Sequence, residues 1–167
     1  MRSGIIITFL LIFSSTPAFA QTSIVGSWSL ISYEDRSDAG EISHPWGSRP
    51  SGILIYDETG HMAVQIQRTP VDKRIDKAET RLTRNDKAIL LSGYTAYFGT
   101  YTIDPDRKTI THHVLGNLFP VYNGTDQTKG YELAADRLVL KAEWTLNGRH
   151  WTGTRIFERM ISPDKRQ

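Results

Sequence analysis

Hydrophobic and polar residues alternate along most of this chain after its first twenty positions. A period of two is typical of β-strands that bury one face. Clear examples are Trp28 and Leu30, which are set among serines, and Met62 and Val64, which share one face. The pattern predicts strands at residues 24–33, 52–56, 61–66, 97–103, 109–114, 130–133, 137–144 and 151–158.

Turn residues separate these strands at intervals of roughly ten residues. The segments Asp57–Gly60 and Asn147–Gly148 predict tight turns between paired strands. Residues 35–51, which include Pro45 and Pro50, predict a long loop instead. The spacing of strands and turns favours an antiparallel sheet with hairpin connections.

One short helix interrupts the strand pattern. Residues Ala88–Leu91 form an apolar patch after a polar stretch, and Asn85 or Asp86 could cap a helix that ends at Gly93. About eight strands with one helix are typical of an antiparallel sandwich or barrel. We therefore predict an all-β fold, an antiparallel barrel of about eight strands, whose interior is either filled or able to hold one small ligand.

The first twenty residues have the pattern of a secretory signal peptide. Arg2 supplies a positive charge, residues 4–13 form an apolar run, and Ala18–Ala20 provide a small-residue cleavage site. The run is too short for a retained membrane helix, and no stop-transfer pattern follows it. We expect cleavage before Gln21 and export to the periplasm or the medium, rather than an uncleaved anchor.

Length and composition indicate a single domain and argue against a nucleic-acid partner. Residues 21–160 are of a length typical of one domain, and residues 161–167 are expected to form a frayed tail. Without Arg2 the chain carries 19 Lys and Arg against 18 Asp and Glu, and these are scattered, so no nucleic-acid groove is expected. The chain has no cysteine and therefore no disulfide framework.

Specific residues resemble a known family. Gly26-Ser27-Trp28 resembles the Gly-x-Trp mark of lipocalins, and Arg155 and Arg159 lie on the last strand, where such barrels place an arginine over that tryptophan. Over residues 24–159 the chain is similar to the bacterial and fungal lipocalin-like domain family. The resemblance implies a calyx-like barrel with a cavity open at one end. The other matching segments are Tyr33, Gly52–Tyr56, Gly60–Met62, Gly93–Tyr94, Tyr97–Tyr101, Thr111–Val114, Phe119–Pro120, Gly124–Gln127 and Asp136–Leu140.

His112 is the most suggestive polar residue. Because successive strand residues face opposite sides, only one of the adjacent His112 and His113 can enter the barrel. Ile110 and Val114 share the face of His112, so His112 is predicted to point inward. It would serve as a polar anchor or as a general base that titrates near neutral pH. The alternative is a core histidine that is hydrogen-bonded to a neighbouring strand.

Aromatic side chains supply the surface that a hydrophobic ligand needs. Tyr97 and Tyr101 share a strand face and could line one wall together. The same residue types fill ordinary barrel cores, so lining and filling are equal alternatives. The candidate catalytic residues are His112, Tyr97 and Tyr101. The predicted ligand-binding residues are Trp28, Tyr56, Met62, Tyr97, Tyr101, His112 and Phe119.

Neither a metal nor a cofactor is expected. The five histidines lack the alternate spacing of strand ligands, and there is no cysteine set. A Gly-x-Ser-x-Gly nucleophile motif is also absent from the sequence.

Three functions fit these observations. The first is an exported carrier or sensor for one small, mostly apolar molecule. The second is a cofactor-free isomerase or cyclase for an apolar substrate, with His112 and a tyrosine as acid and base. The third is an interaction module with a filled core that acts through the loop His44–Pro50 or the basic segment Lys73–Arg84. An internal cavity would count against the third.

Overall fold

The computed structural model of the protein describes residues 23–70 and 81–161. Eight antiparallel strands close into a barrel, and a ninth, two-residue strand pairs outside the ring. The predicted all-β barrel is confirmed. In chain order the strands are β1 (Gly26–Ser37), β2 (Ile42–Ser43), β3 (Ser51–Tyr56), β4 (His61–Gln67), β5 (Tyr94–Asp104), β6 (Thr109–Asn117), β7 (Asp126–Ala134), β8 (Arg137–Leu146) and β9 (Arg149–Arg159).

The barrel closes because β9 pairs with β1 as well as with β8. Each of the other barrel strands also has two neighbours, in the order β1, β3, β4, β5, β6, β7, β8, β9. β2 pairs with β1 outside this ring, at Asp35 and Arg36. The predicted signal peptide, residues 73–80 of the basic segment and residues 162–167 of the predicted tail lie outside the described residues.

The packed core fills the end of the barrel at which β1 begins and β9 ends, which we call the closed end. Trp28 is fully buried there, and its indole Nε1 donates to the carbonyl of Ile24 at 2.8 Å. The guanidinium of Arg159 lies 4.2 Å from the centre of the Trp28 ring. Of the two arginines that the resemblance suggested, Arg155 and Arg159, Arg159 is therefore the one that covers the tryptophan.

Arg159 also fastens the chain segment that precedes β1. Its Nη1 donates to the Val25 carbonyl at 2.9 Å, and its Nη2 donates to the Ser23 carbonyl at 2.6 Å. Gly26 makes this approach possible, because its φ is +139° and a β-carbon there would lie 2.8 Å from Arg159 Nη1. The Gly-x-Trp pattern and Arg159 thus form one structural unit at the closed end.

Two β-bulges change which residues face inward. In β1 the register shifts between Leu30 and Ser32, so Ile31 is an extra residue and lies 44% exposed. In β6 a corresponding shift leaves Leu115 extra and 61% exposed. Because side chains alternate with a period of two, each bulge exchanges the inward and outward faces beyond it.

The helix spans Arg84–Ser92 and is labelled α1. The predicted N-cap, Asn85 or Asp86, was wrong: Thr83 is the N-cap, and its hydroxyl accepts from the Asp86 backbone N–H at 3.2 Å. The Asp86 carboxylate accepts in return from the Thr83 backbone N–H at 2.9 Å, so Asp86 completes a capping box three residues inside. Gly93 ends the helix as predicted, and its N–H donates to the Leu90 carbonyl at 3.0 Å.

Several strands run further than their patterns predict. β1 continues to Ser37, so the predicted loop at 35–51 begins later, and β7 begins at Asp126 rather than at residue 130. Within the described ranges, no helix has the length and apolarity to cross a membrane.

A cavity at the open end of the barrel

A cavity of about 630 Å³ occupies the half of the barrel away from Trp28 and Arg159. This volume lies within the range of roughly 300–1,000 Å³ that is typical of small-molecule sites. Aliphatic side chains, including Val64, Ile66 and Leu140, form part of its inner wall. We call the aromatic group Trp46, Phe119, Tyr122 and Trp144, which lines the outer part of the cavity, the mouth.

Three of the predicted ligand-binding residues, Tyr97, His112 and Phe119, line this cavity. Tyr97 and His112 lie within the barrel, while Phe119 is 44% exposed at the mouth. Trp46 belongs to the proline-containing loop and packs edge-on against Tyr33, with ring centres 6.2 Å apart. That loop is therefore part of the cavity wall.

The other four predicted ligand-binding residues lie in the packed core and outside the lining of this cavity. Trp28, Tyr56 and Met62 are 0%, 1% and 3% exposed. Tyr101 packs on Tyr56 with ring centres 4.7 Å apart, and its hydroxyl donates to the Asp57 carbonyl at 2.8 Å. The aromatic residues therefore divide between filling the closed end and lining the cavity. Ligand contact by any of the seven residues stays a prediction.

His112 points inward as its neighbours predict, and it is fully buried together with Ile110 and Val114. Its Nε2 lies 2.6 Å from the Tyr56 hydroxyl, and its Nδ1 lies 2.9 Å from the Tyr97 hydroxyl. Within residues 23–70 and 81–161 the Tyr56 hydroxyl bonds only to His112, which favours Tyr56 as the donor to Nε2. In that tautomer Nδ1 carries the proton and donates to Tyr97; in the other, Nδ1 accepts from the Tyr97 hydroxyl or from Lys129 Nζ, which lies 3.4 Å away.

Burial lowers the pKa of His112 to about 2, with smaller contributions from the charges of Lys129 and His113. The expectation that His112 titrates near neutral pH is therefore wrong. Burial also raises the pKa of Tyr97, so its hydroxyl keeps its proton. At physiological pH this pair of side chains offers a neutral hydrogen bond to a ligand and no negative charge.

Lys129 of β7 is a cavity residue that the sequence analysis missed. Its Nζ lies 3.2 Å from Gln127 Oε1 and 3.4 Å from His112 Nδ1. Burial, followed by the nearby charge of Arg155, lowers the pKa of Lys129 to about 8. Extending the predicted strand backwards from residue 130 would have found it, because Lys129 shares a face with Tyr131.

Arg155 of β9 also lines the cavity, and it is paired with Asp35 of β1. Its Nη2 lies 3.6 Å from Asp35 Oδ1 and donates to the Tyr33 hydroxyl, and both charged side chains are 14% exposed. The guanidinium also stacks 4.0 Å from the centre of the Tyr33 ring. No simple alternation would have found Asp35, because the bulge at Ile31 turns it inward.

The comparison with known families agrees with this geometry. The family described as the lipocalin-like domain matches residues 25–160, which is most of the chain. The chain belongs to the lipocalin-like domain family. The predicted resemblance is thereby confirmed. No curated protein matches this lipocalin-like domain.

The stability of the lipocalin-like domain should depend on pH through His112. The folded-state pKa of His112 is about 2, below the ordinary value of 6.5. Protonation of His112 therefore does not reduce the free energy of unfolding above pH 6.5. As the pH falls below 6.5, the unfolded state binds the proton first, and stability should decline by about 1.4 kcal/mol per pH unit. Urea unfolding measures this slope when it is repeated between pH 5 and 7 in steps of about one pH unit.

The matched variant is His112→Leu, which should flatten that slope. The difference between the two proteins isolates His112 from Asp35, whose pKa is raised by burial and whose effect has the opposite sign. Equal slopes in both proteins would show that His112 is not held neutral in the folded state.

Proposed function

We propose that the protein is an exported carrier or sensor that binds one small, largely hydrophobic molecule inside its barrel. The observation that supports this most directly is the cavity of about 630 Å³ with an aromatic mouth and an aliphatic inner wall. Burying apolar ligand surface against such walls contributes roughly 25 cal/mol per Å² before the costs of association are subtracted. The proposal of export rests on the signal-peptide pattern of residues 1–20.

A cofactor-free isomerase or cyclase is a second candidate. Lys129, with a pKa of about 8, lies on the same cavity as the protonated Tyr97 hydroxyl, so a base and an acid face one space. His112 does not suit the role of base, because its pKa is about 2. Recovery of an unchanged molecule after prolonged incubation would favour the carrier. The same cavity counts against an interaction module with a filled core.

The binding proposal can be tested by filling the cavity. Ala142 of β8 lines it, so Ala142→Trp should place an indole in the space and weaken uptake of the neutral fluorescent probe phenylnaphthylamine by at least about tenfold. Fluorescence titration of the purified mature protein provides the measurement.

Lys141→Trp is the control, because Lys141 lies on the same strand but is exposed and pairs with Glu132 at 2.6 Å. It should bind the probe as the wild type does. Equal binding by both variants would place the probe outside the barrel, and no binding by the wild type would contradict the proposed function.

A further inference from the structure

Lys129 brings a positive charge into the barrel without a carboxylate to balance it. Among the described residues, no Asp or Glu oxygen lies within ion-pair distance of its Nζ, whose neighbours are Gln127 and His112. Burying a charge without a partner is costly, and the low pKa of Lys129 reflects that cost. A ligand that supplied a negative charge beside Lys129 would remove this cost.

The second buried cation, Arg155, has its own counter-charge. Asp35 lies 3.6 Å from it, and the pair contributes no net charge to the cavity. The fit is incomplete, because Arg155 Nη1 and Asp35 Oδ1 are buried and neither has a hydrogen-bond partner within the described structure. Lys129 and the Asp35–Arg155 pair together give the interior a net positive charge.

The acidic residues on the cavity lining do not neutralise this charge. Asp126 and Glu143 are 67% and 68% exposed, and each lies near a histidine, His113 at 2.7 Å and His150 at 3.9 Å. Both carboxylates are solvated, so their fields are screened by water. The inner part of the cavity remains positive.

We propose that the ligand of this barrel is a hydrophobic molecule with one carboxylate, which the ammonium of Lys129 and the hydroxyl of Tyr97 bind at the inner end of the cavity. This inference rests on the proposed binding function and names the ligand's chemical class. Lys129 Nζ lies beside the fully buried His112, so the carboxylate enters first and the apolar body extends toward Phe119 and Trp144. Both groups can donate to a carboxylate, because Tyr97 keeps its proton and Lys129 Nζ has no carboxylate partner among the described residues.

The experiment compares two competitors of nearly the same shape. Naphthoate carries a carboxylate and naphthamide a neutral amide, and each displaces phenylnaphthylamine from the mature protein. Because hydrogen bonds to charged groups are strong, wild-type protein should prefer naphthoate by about tenfold to a hundredfold. Lys129→Met should remove the preference while it still binds the neutral probe.

Lys141→Met is the matched control, because it removes an exposed lysine and should keep the preference. If the neutral probe binds but the wild type does not prefer naphthoate, or Lys129→Met retains the preference, the inference is overturned and the binding function stands. If the probe itself does not bind, the proposed function fails and the inference fails with it. Circular dichroism of each variant verifies that the barrel is folded.

The pH dependence of the preference provides a second readout. The titratable or charged groups that face Lys129 from other strands are His112, Tyr97 and Arg155. His112 and Tyr97 stay neutral between pH 6 and 9, because burial lowers the pKa of His112 to about 2 and raises the pKa of Tyr97. The preference for naphthoate should therefore fall as the pH rises through about 8 and Lys129 loses its proton. A constant preference over this range would overturn the role of Lys129.

Discussion

Replacement of Trp28 by alanine should lower the free energy of unfolding by about 3–5 kcal/mol. The indole is fully buried in the closed end, where it donates to Ile24 and lies beneath the guanidinium of Arg159. Its removal leaves a void and also takes away the aromatic surface on which Arg159 rests. Urea unfolding of the purified protein, followed by circular dichroism, measures the loss.

Phe98→Ala is the control, because this ring is 58% exposed on the outer face of β5. Its unfolding free energy should change much less than that of Trp28→Ala. Arg159→Met is a third variant for the same measurement, because it keeps a long side chain but loses the hydrogen-bond donors to Ser23 and Val25. If Trp28→Ala and Phe98→Ala had similar effects, the closed end would not be the stabilising core described above.

Replacement of His112 by leucine should destabilise the barrel by about 2–3 kcal/mol, because the buried Tyr56 hydroxyl loses its hydrogen bond. Tyr56→Phe should be destabilising too, since it leaves His112 Nε2 unpaired. In the double variant neither group remains unpaired, so its loss of stability should be smaller than the sum of the single losses by about 1–3 kcal/mol.

The adjacent histidine is the matched control for this pair. His113 faces outward, where it contacts Asp126 at 2.7 Å and Thr102 at 3.1 Å, and His113→Leu should cost under about 1 kcal/mol. Strict additivity of His112→Leu and Tyr56→Phe would mean that their 2.6 Å contact does not couple them in solution.

Alternation alone was sufficient to predict much of the fold. The inward direction of His112 followed from its neighbours Ile110 and Val114. The turn at Asn147–Gly148 followed from two residue types that tolerate positive φ, and their φ angles are 51° and 74° in the structure. Such predictions succeed because one buried face imposes a strict period of two. The arginine that covers the indole was instead an expectation from the resemblance of Gly26-Ser27-Trp28 to the lipocalin pattern.

Long-range geometry determined what the sequence could not predict. Local patterns do not distinguish a tyrosine that fills the closed end, such as Tyr101, from one that lines the cavity, such as Tyr97, because both share one strand face. They also do not reveal that Asp35 meets Arg155, since the pairing joins the two ends of the chain. Lys129 was missed for a simpler reason, because the predicted strand begins at residue 130 while the observed strand begins at Asp126.

The bulge at Ile31 divides β1 into two stretches of opposite phase. Before it, Trp28 and Leu30 face inward and belong to the closed end. After it, Tyr33 lines the cavity and Asp35 contacts Arg155. The extra residue lets these stretches follow separate alternation patterns along one continuous strand. Sequence change in the second stretch can therefore alter the lining of the cavity while Trp28 and Arg159 keep their positions at the closed end.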